Sequence, residues 1–180
     1  MKDKRSVKML VEASMMIALS MILYHITIYT APQGGSVTAG SMVPLFIFAL
    51  RWGMGPGILV GAGFGILELI LRPFIFHPVQ VLLDYPIAYG LLGLAGIGYR
   101  SKNQGLRSYI RIILGIILAI SGRMLSHVLS GVIFFGDATG GQNPWIYSLI
   151  YNGSFLIPEM IISIIVLVLV WGIIQRRTIS

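Results

Sequence analysis

The sequence has no cysteine and few charged residues. Without cysteine there is neither a disulfide framework nor a thiolate metal site. Charged residues make up 11% of the chain, whereas soluble domains contain about 25%. Hydrophobic residues make up 56%, so the composition indicates an integral membrane protein.

Several catalytic motifs are also absent. The sequence has no G-x-x-x-x-G-K-[ST] phosphate loop, so the chain does not hydrolyse ATP by that route. It has no H-E-x-x-H and no G-x-S-x-G motif either. We predict that the chain is not an enzyme and that it has no cofactor and no metal site.

Six apolar runs occupy most of the chain, at residues 7–29, 40–50, 57–71, 79–99, 109–135 and 145–174. A spanning helix needs about 20 mostly apolar residues. We therefore predict an all-α membrane protein with six transmembrane helices, forming a single membrane-embedded domain over residues 1–180. The second run contains Pro44 and is too short to cross a bilayer as a helix. We expect it to be tilted or sheltered by its neighbours.

The net charge of +7 could indicate nucleic-acid binding, but the cations cluster at the ends of apolar runs, as in membrane proteins. With the N-terminus inside, the outer loops hold only Arg72. The inner loops and termini hold Lys2, Lys4, Arg5, Lys8, Arg51, Arg100, Lys102, Arg107, Arg111, Arg176 and Arg177. This asymmetry predicts that both termini are cytoplasmic. We expect lipid, and no nucleic acid, around the chain.

Two runs carry small residues at helical spacing, which lets helices approach closely in lipid. One stripe is formed by Gly57, Gly61 and Gly65, and a shorter one by Ser14 and Ala18. Such stripes are typical of packing within one protein or of a docking face for a partner membrane subunit.

Polar and aromatic side chains from four runs fall at one depth. A rise of about 1.5 Å per residue places them near the outer face. They are Glu68, Asp84, Tyr85, His127, Tyr147, Tyr151 and Asn152. Ionisable groups within spans usually face protein or water, so we predict a binding site there. Each residue alone is also typical of an interfacial aromatic belt or of a bond between helices.

The residue types suit a flat, polar heteroaromatic ligand. Aromatic rings stack on such a ligand, cation–π attraction favours a positive charge, and Asp84 can accept a hydrogen bond or neutralise a cation. Arg123 and His127 are four residues apart and share a helix face. Arg123 and Glu159 both lie near mid-depth, so we expect either a buried ion pair between them or contact with the ligand.

Several segments together resemble the thiamine-specific substrate-binding subunits, or S components, of energy-coupling-factor transporters. The segments are 33–38 (QGGSVT), 42–44 (MVP), 49–53 (ALRWG), 83–86 (LDYP), 92–96 (LGLAG), 127–131 (HVLSG) and 147–153 (YSLIYNG). They follow the family's order and extend over nearly the whole chain.

The resemblance implies a six-helix protein of the bacterial cell membrane that binds thiamine from outside. It implies no ATPase of its own, and partners comprising a membrane coupling subunit and two cytoplasmic ATPases. Such subunits are described as toppling in the membrane to deliver the vitamin. The face formed by Ser14 and Ala18 resembles the family's docking motif.

Matching positions imply ligand roles for Asp84, Tyr85, His127, Gly131, Tyr147 and Asn152. Further candidates are Glu68, Phe74, Arg123, Phe135, Trp145 and Tyr151. Some relatives carry Glu in place of Asp84, and tryptophans where this chain has Gly35 and Phe135. We expect Phe74 or Trp145 to compensate.

Three functions are compatible with the residues. The first is a binding and transport subunit. The second is an intramembrane enzyme acting on a small heteroaromatic substrate, with Asp84 and His127 as an acid–base pair. The third is a membrane scaffold without a small ligand.

Overall fold

The computed structural model describes residues 2–32, 34–98 and 106–177. The elements in chain order are α1 (Lys2–His25), β1 (Thr27–Thr30), β2 (Ser36–Thr38), α2 (Val43–Trp52), α3 (Met54–Leu71), α4 (Pro78–Leu82), a π-helical turn (Leu83–Ile87), α5 (Ala88–Gly90), a 3₁₀ helix (Leu91–Gly98), α6 (Leu106–Phe134), a second 3₁₀ helix (Gly136–Thr139) and α7 (Pro144–Arg177). We call the continuous stretch 78–98 the composite helix.

Five helical stretches in the described part of the chain are long and apolar enough to cross a membrane. They are Lys4–His25, Met54–Leu71, Pro78–Ile97, Leu106–Phe134 and Pro144–Ile173. The protein is therefore an all-helical, multi-pass membrane protein apart from its two short strands. The sixth apolar helix, α2, has 10 residues and is about 15 Å long, which is too short to span.

The expectation that neighbours shelter α2 is confirmed. Seven of its ten residues are buried, Phe46 and Ala49 completely. Pro44 lies in its first turn, where the missing N–H leaves no helical hydrogen bond unmade. A helix this short is tolerated because most of its residues pack against protein.

The first predicted helix was too long at its C-terminal end. Helix α1 stops at His25, and Thr27–Thr30 pairs with Ser36–Thr38 in an antiparallel hairpin. The sequence Ile26-Thr27-Ile28 explains the change, because β-branched side chains favour extended backbone over helix. Gly34 has a φ of 98° in the connection, a conformation that glycine adopts without strain.

Pro86 explains why the composite helix is irregular. Proline has no N–H and its ring clashes with the carbonyl four residues earlier, so the α-helical ladder cannot continue through it. The chain widens into the π-helical turn Leu83–Ile87. The carbonyl of Leu83 accepts a bond from Ser126 Oγ at 2.6 Å, as exposed backbone groups in membrane helices require. Asp84 and Tyr85 lie within this turn.

Glycines on α3 bring the composite helix close. A Cβ at Gly65 would meet the backbone oxygen of Tyr85, and one at Gly61 would meet that of Tyr89. Gly57 faces Ala49 and Gly93. The glycine stripe therefore packs inside the protein, and it fixes the depth of Asp84 and Tyr85.

Helix α1 packs against the other helices along one side and is otherwise exposed. Its large exposed side chains include Leu10, Met15 and Ile22. Near the middle of α1, Glu12 pairs with Arg51 Nη1 at 2.8 Å and also accepts a bond from Trp52 Nε1. These two contacts hold α1 to the C-terminal end of α2.

Candidate ligand-binding site

A cavity of about 600 Å³ lies among the hairpin, α3, the composite helix, α6 and α7. Its size falls within the range of about 300–1,000 Å³ that is usual for small-molecule sites. Of the twelve candidate ligand residues from the sequence, all except Trp145 line it. The seven residues that the depth estimate placed together all line this cavity, and whether they bind a ligand stays a prediction.

Trp145 does not reach the cavity. Its side chain is 50% exposed at the start of α7, and its backbone N–H is bonded to Asn143 Oδ1 at 2.9 Å. Phe74 does line the cavity, and its ring lies 5.9 Å from that of Phe135. Of the two residues expected to compensate for the missing tryptophans, only Phe74 is placed to do so.

Asp84 is the best-connected polar group of the cavity. Its Oδ2 accepts bonds from Gln80 Nε2 at 2.8 Å and from Ser130 Oγ at 2.9 Å. Its Oδ1 lies 3.0 Å from His127 Nδ1. The other nitrogen of that ring, Nε2, lies 3.2 Å from Arg123 Nε. A connected polar chain thus runs from α6 into the π-helical turn.

The hydroxyl of Tyr85 holds the segment that follows α3. It accepts a bond from Phe74 N at 2.9 Å and donates one to the Arg72 carbonyl at 3.0 Å. This leaves the ring of Tyr85 as its main contribution to the cavity surface. The same segment packs its Phe76 against Phe135 at 5.2 Å.

Helix α7 supplies an aromatic wall. The rings of Tyr147 and Tyr151 are parallel within 4° at 6.5 Å, and Phe155 meets Tyr151 edge-on at 5.8 Å. Phe155 also meets His127 edge-on at 6.3 Å. The sequence reasoning missed Phe155, although its spacing of four residues from Tyr151 and eight from Tyr147 puts all three on one helix face.

Asn152 and Gly131 have structural roles at the contact between α6 and α7. Asn152 Nδ2 donates to Ser148 O at 2.9 Å and to Ser148 Oγ at 3.2 Å, within its own helix. A Cβ at Gly131 would collide with Ser148 Oγ. A side chain at position 131 would therefore displace the Ser148 hydroxyl, whether or not Gly131 contacts a ligand.

Of the two alternatives for Arg123 and Glu159, an ion pair or contact with the ligand, the ion pair is not formed. No salt bridge within 4.0 Å joins them; instead Glu159 Oε1 accepts bonds from the backbone N–H and the hydroxyl of Thr38. Glu159 Oε2 is buried, and no other described residue forms a hydrogen bond with it. The hairpin, which the sequence did not predict, provides the donors that occupy Glu159.

Metal binding has no support in the part of the chain that the structure describes. No group of three or more His, Cys, Asp or Glu side chains is placed there to hold an ion. Glu68 lines the cavity on α3 and is buried beside Tyr24, so the carboxylates of the cavity lie on three separate helical segments.

Comparison with known proteins identifies the family. A family model described as "Thiamine transporter protein" matches residues 10–178. The chain belongs to this thiamine transporter family. The family is one of transport proteins rather than enzymes, as the sequence predicted.

Relatives within the thiamine transporter family are similar along almost the whole chain. "Thiamine transporter ThiT" of Bacillus subtilis strain 168 is 34% identical, covering 95% of this chain and 94% of that protein. "Thiamine transporter ThiT" of Lacticaseibacillus paracasei is 30% identical, covering 92% and 88% respectively. The solved structure of ThiT from Listeria monocytogenes is 20% identical and superposes with a TM-score of 0.85, covering 96% of this chain and 97% of that one. It therefore has the same fold.

Proposed function

We propose that this chain is the thiamine-binding membrane subunit of an ATP-driven importer of the energy-coupling-factor type. The observation that carries the proposal is the position of Asp84, a carboxylate inside an aromatic cavity, in a chain of the thiamine transporter family. Both named relatives are thiamine transporters.

The chemistry of the cavity suits thiamine. The vitamin joins a permanently positive thiazolium ring to an aminopyrimidine with donor and acceptor edges. Asp84 supplies a negative charge for the thiazolium, and Tyr147, Tyr151 and Phe135 supply rings for stacking and cation–π attraction. Aromatic faces combined with a few polar groups are the usual composition of a specific small-molecule site.

The ligand residues in this proposal are Asp84, Tyr85, His127, Gly131, Tyr147 and Asn152, with secondary contacts from Glu68, Phe74, Phe135 and Tyr151. Asp84 and His127 are also close enough for acid–base chemistry, at 3.0 Å. Since the family consists of transporters, we assign this contact to binding rather than to an enzyme.

Energy for import comes from separate proteins in this proposal. The chain has no phosphate loop, so a membrane coupling subunit and two cytoplasmic ATPases drive uptake. Ser14 and Ala18 lie on the exposed face of α1 and form part of the docking surface. Six membrane-inserted helices, cytoplasmic termini and a bacterial cell membrane complete the proposal.

The test is titration of the purified protein with thiamine by calorimetry. A matched titrant is the uncharged analogue in which a neutral thiophene replaces the thiazolium. We expect tight binding of thiamine, much weaker binding of the analogue, and recovery of unmodified thiamine by mass spectrometry. Conversion of thiamine would support the enzyme, and binding of neither compound would support a scaffold without a small ligand.

A further inference from the structure

Arg123 is a buried cation without a direct carboxylate partner. Arg123 is 9% exposed, and among the described residues it forms no salt bridge within 4.0 Å. Its guanidinium carbon lies 4.0 Å from the centre of the Tyr89 ring, and Nη1 lies 3.0 Å from Met42 Sδ. Buried charges are normally paired, but Glu68 and Glu159 interact with Arg123 electrostatically without a salt bridge, so its direct contacts are with neutral groups.

The contact between Arg123 and His127 determines where the proton of the His127 ring lies. A guanidinium can only donate hydrogen bonds. Arg123 Nε lies 3.2 Å from His127 Nε2, so that ring nitrogen must be the acceptor and carry no proton. The proton of the neutral ring is then on Nδ1, which faces Asp84 Oδ1 at 3.0 Å.

This arrangement preserves the negative charge of Asp84. Its three donors are the N–H of His127, the amide of Gln80 and the hydroxyl of Ser130, and all three are neutral groups. Both nitrogens of His127 are occupied, which fixes the plane of a ring that lines the cavity. Arg123 itself forms no salt bridge with Asp84 within 4.0 Å, because His127 lies between them.

We propose that Arg123 is a positioning residue, which fixes the proton and the orientation of His127 and so keeps Asp84 available as a charged carboxylate for a cationic ligand. It acts through His127 and does not contact the ligand. The identity of that ligand as thiamine rests on the proposed function.

A double-mutant cycle tests whether Arg123 acts through His127. Thiamine dissociation constants are measured for Arg123→Met, for His127→Ala and for the double variant. We expect Arg123→Met to weaken binding about tenfold in the native background, as for loss of one hydrogen bond to a charged group. In the His127→Ala background the same change should alter binding less than twofold, because the intermediary is gone. Full additivity would show direct ligand contact, and an unchanged constant in Arg123→Met would show a merely structural role; either result overturns the proposal.

A second readout does not depend on thiamine. Nitrogen-15 NMR of labelled histidine, with His127 assigned by comparison with His127→Ala, reports whether Nε2 accepts a bond. We expect a proton on Nδ1 in the native protein, and a shift of the Nε2 signal in Arg123→Met. An Nε2 signal that is protonated in the native protein, or unchanged in the variant, contradicts the proposal even if thiamine binds. If the NMR result is as expected but the native protein does not bind thiamine, the proposed function is contradicted instead.

Two further variants control for folding and charge. Arg107 lies exposed on the same helix, and Arg107→Met should leave both the dissociation constant and the NMR signal unchanged. Arg123→Lys keeps a charge and a donor but has a different reach, so its affinity should lie between those of the native protein and Arg123→Met. If Arg123→Met does not purify as a folded monodisperse protein, the same cycle is run with Arg123→Lys, and additivity there overturns the proposal equally.

Discussion

At the scale of the residue, Asp84 has more of its bonding capacity in use than its position in a cavity would suggest. A carboxylate offers about four acceptor positions, and three are taken by His127, Gln80 and Ser130. What remains for a ligand is one acceptor position and the whole negative charge. Its side chain is 20% exposed, so the charge is only partly screened by water and acts strongly on a nearby cation.

The first prediction is that Asp84→Asn weakens thiamine binding by about tenfold or more. Hydrogen bonds to charged groups contribute roughly 1.5–3 kcal/mol, and 1.4 kcal/mol corresponds to a factor of ten. Asn is nearly isosteric, so the fold should survive. Calorimetric titration measures the change, with Asp137→Asn as a control because Asp137 is exposed on the 3₁₀ helix Gly136–Thr139. A dissociation constant within twofold of the native value, together with altered thermal stability, would assign Asp84 a structural role only.

Most of the cavity residues could be found from the sequence because their chemistry is unusual within an apolar run. Asp84, His127 and Arg123 are costly in a membrane and so attract attention. Gln80 and Ser130, which hold Asp84, could not be found in this way, since uncharged polar residues are common on membrane helices. The partner of Glu159 was missed for another reason: Thr38 donates to it through both its backbone N–H and its hydroxyl, and Thr38 lies in a hairpin that no sequence pattern predicted.

At the scale of the element, the position of the site depends on how closely α3 approaches the composite helix. A Cβ at Gly65 would lie 2.5 Å from Tyr85 O, which is well inside van der Waals contact. The π-helical turn that carries Asp84 and Tyr85 therefore rests directly on the surface of α3. The apolar pattern predicted the two helices, but it could not predict the π-helical turn, because proline is compatible with a kink, a break or a bulge.

The second prediction compares two glycines of α3. Gly65→Ala should destabilise the protein by about 1–3 kcal/mol through overpacking and should weaken thiamine binding by displacing Tyr85. Gly63→Ala is the matched control, because its nearest neighbour would be Ile17 Cδ1 at 3.9 Å. It should be neutral or stabilising by about 0.5–1 kcal/mol, since alanine favours helix over glycine. Thermal unfolding in detergent and thiamine titration measure both effects, and equal behaviour of the two variants would refute the packing argument.

The hairpin is the element that was hardest to predict from the sequence. Its strands have four and three residues, too few to show alternation, and the first follows an apolar helix without a break. It is attached to α7 through Glu159 and Tyr151, and Gly35 N lies 3.3 Å from Tyr151 Oη. These residues are far apart in the sequence, so no local pattern predicts the contact. The pattern of apolar runs therefore predicted the bundle but not the element that closes one side of the cavity.

At the scale of the whole molecule, orientation in the membrane is still a prediction from charge. Cations concentrate in the loops assigned to the cytoplasm, and the third prediction tests this with single cysteines. The chain has no cysteine of its own, so Gln142→Cys and Asn103→Cys each introduce the single reactive thiol of the protein. Asn103 lies outside the described residues. An impermeant thiol reagent applied to intact cells should label position 142 and spare position 103. The reverse pattern would invert the topology and place the cavity on the cytoplasmic side.

Helix α1 carries the proposed docking face. Ser14 and Ala18 lie on its exposed face, and Ser14 Oγ is bonded within the helix to Leu10 O at 3.1 Å. The hydroxyl of Ser14 is therefore already bonded, and the two small residues lie between the larger exposed side chains of Leu10 and Ile22. Among the described residues of α1, only Tyr24, near the C-terminal end, lines the cavity. The proposed docking face and the cavity therefore lie on different parts of this helix.

The fourth prediction follows from that separation. Ala18→Trp should leave the thiamine dissociation constant within twofold, because position 18 is remote from the cavity lining. The same change should abolish most ATP-driven uptake in vesicles that also contain the coupling subunit and the ATPases, because a bulky ring prevents close helix approach. Leu19→Trp is the control: Leu19 is also exposed on α1, about 100° around the helix, and its replacement adds little bulk, so uptake should persist. Normal uptake by Ala18→Trp would remove this face of α1 from the docking surface, whereas equal loss in both variants would attribute the effect to the tryptophan itself.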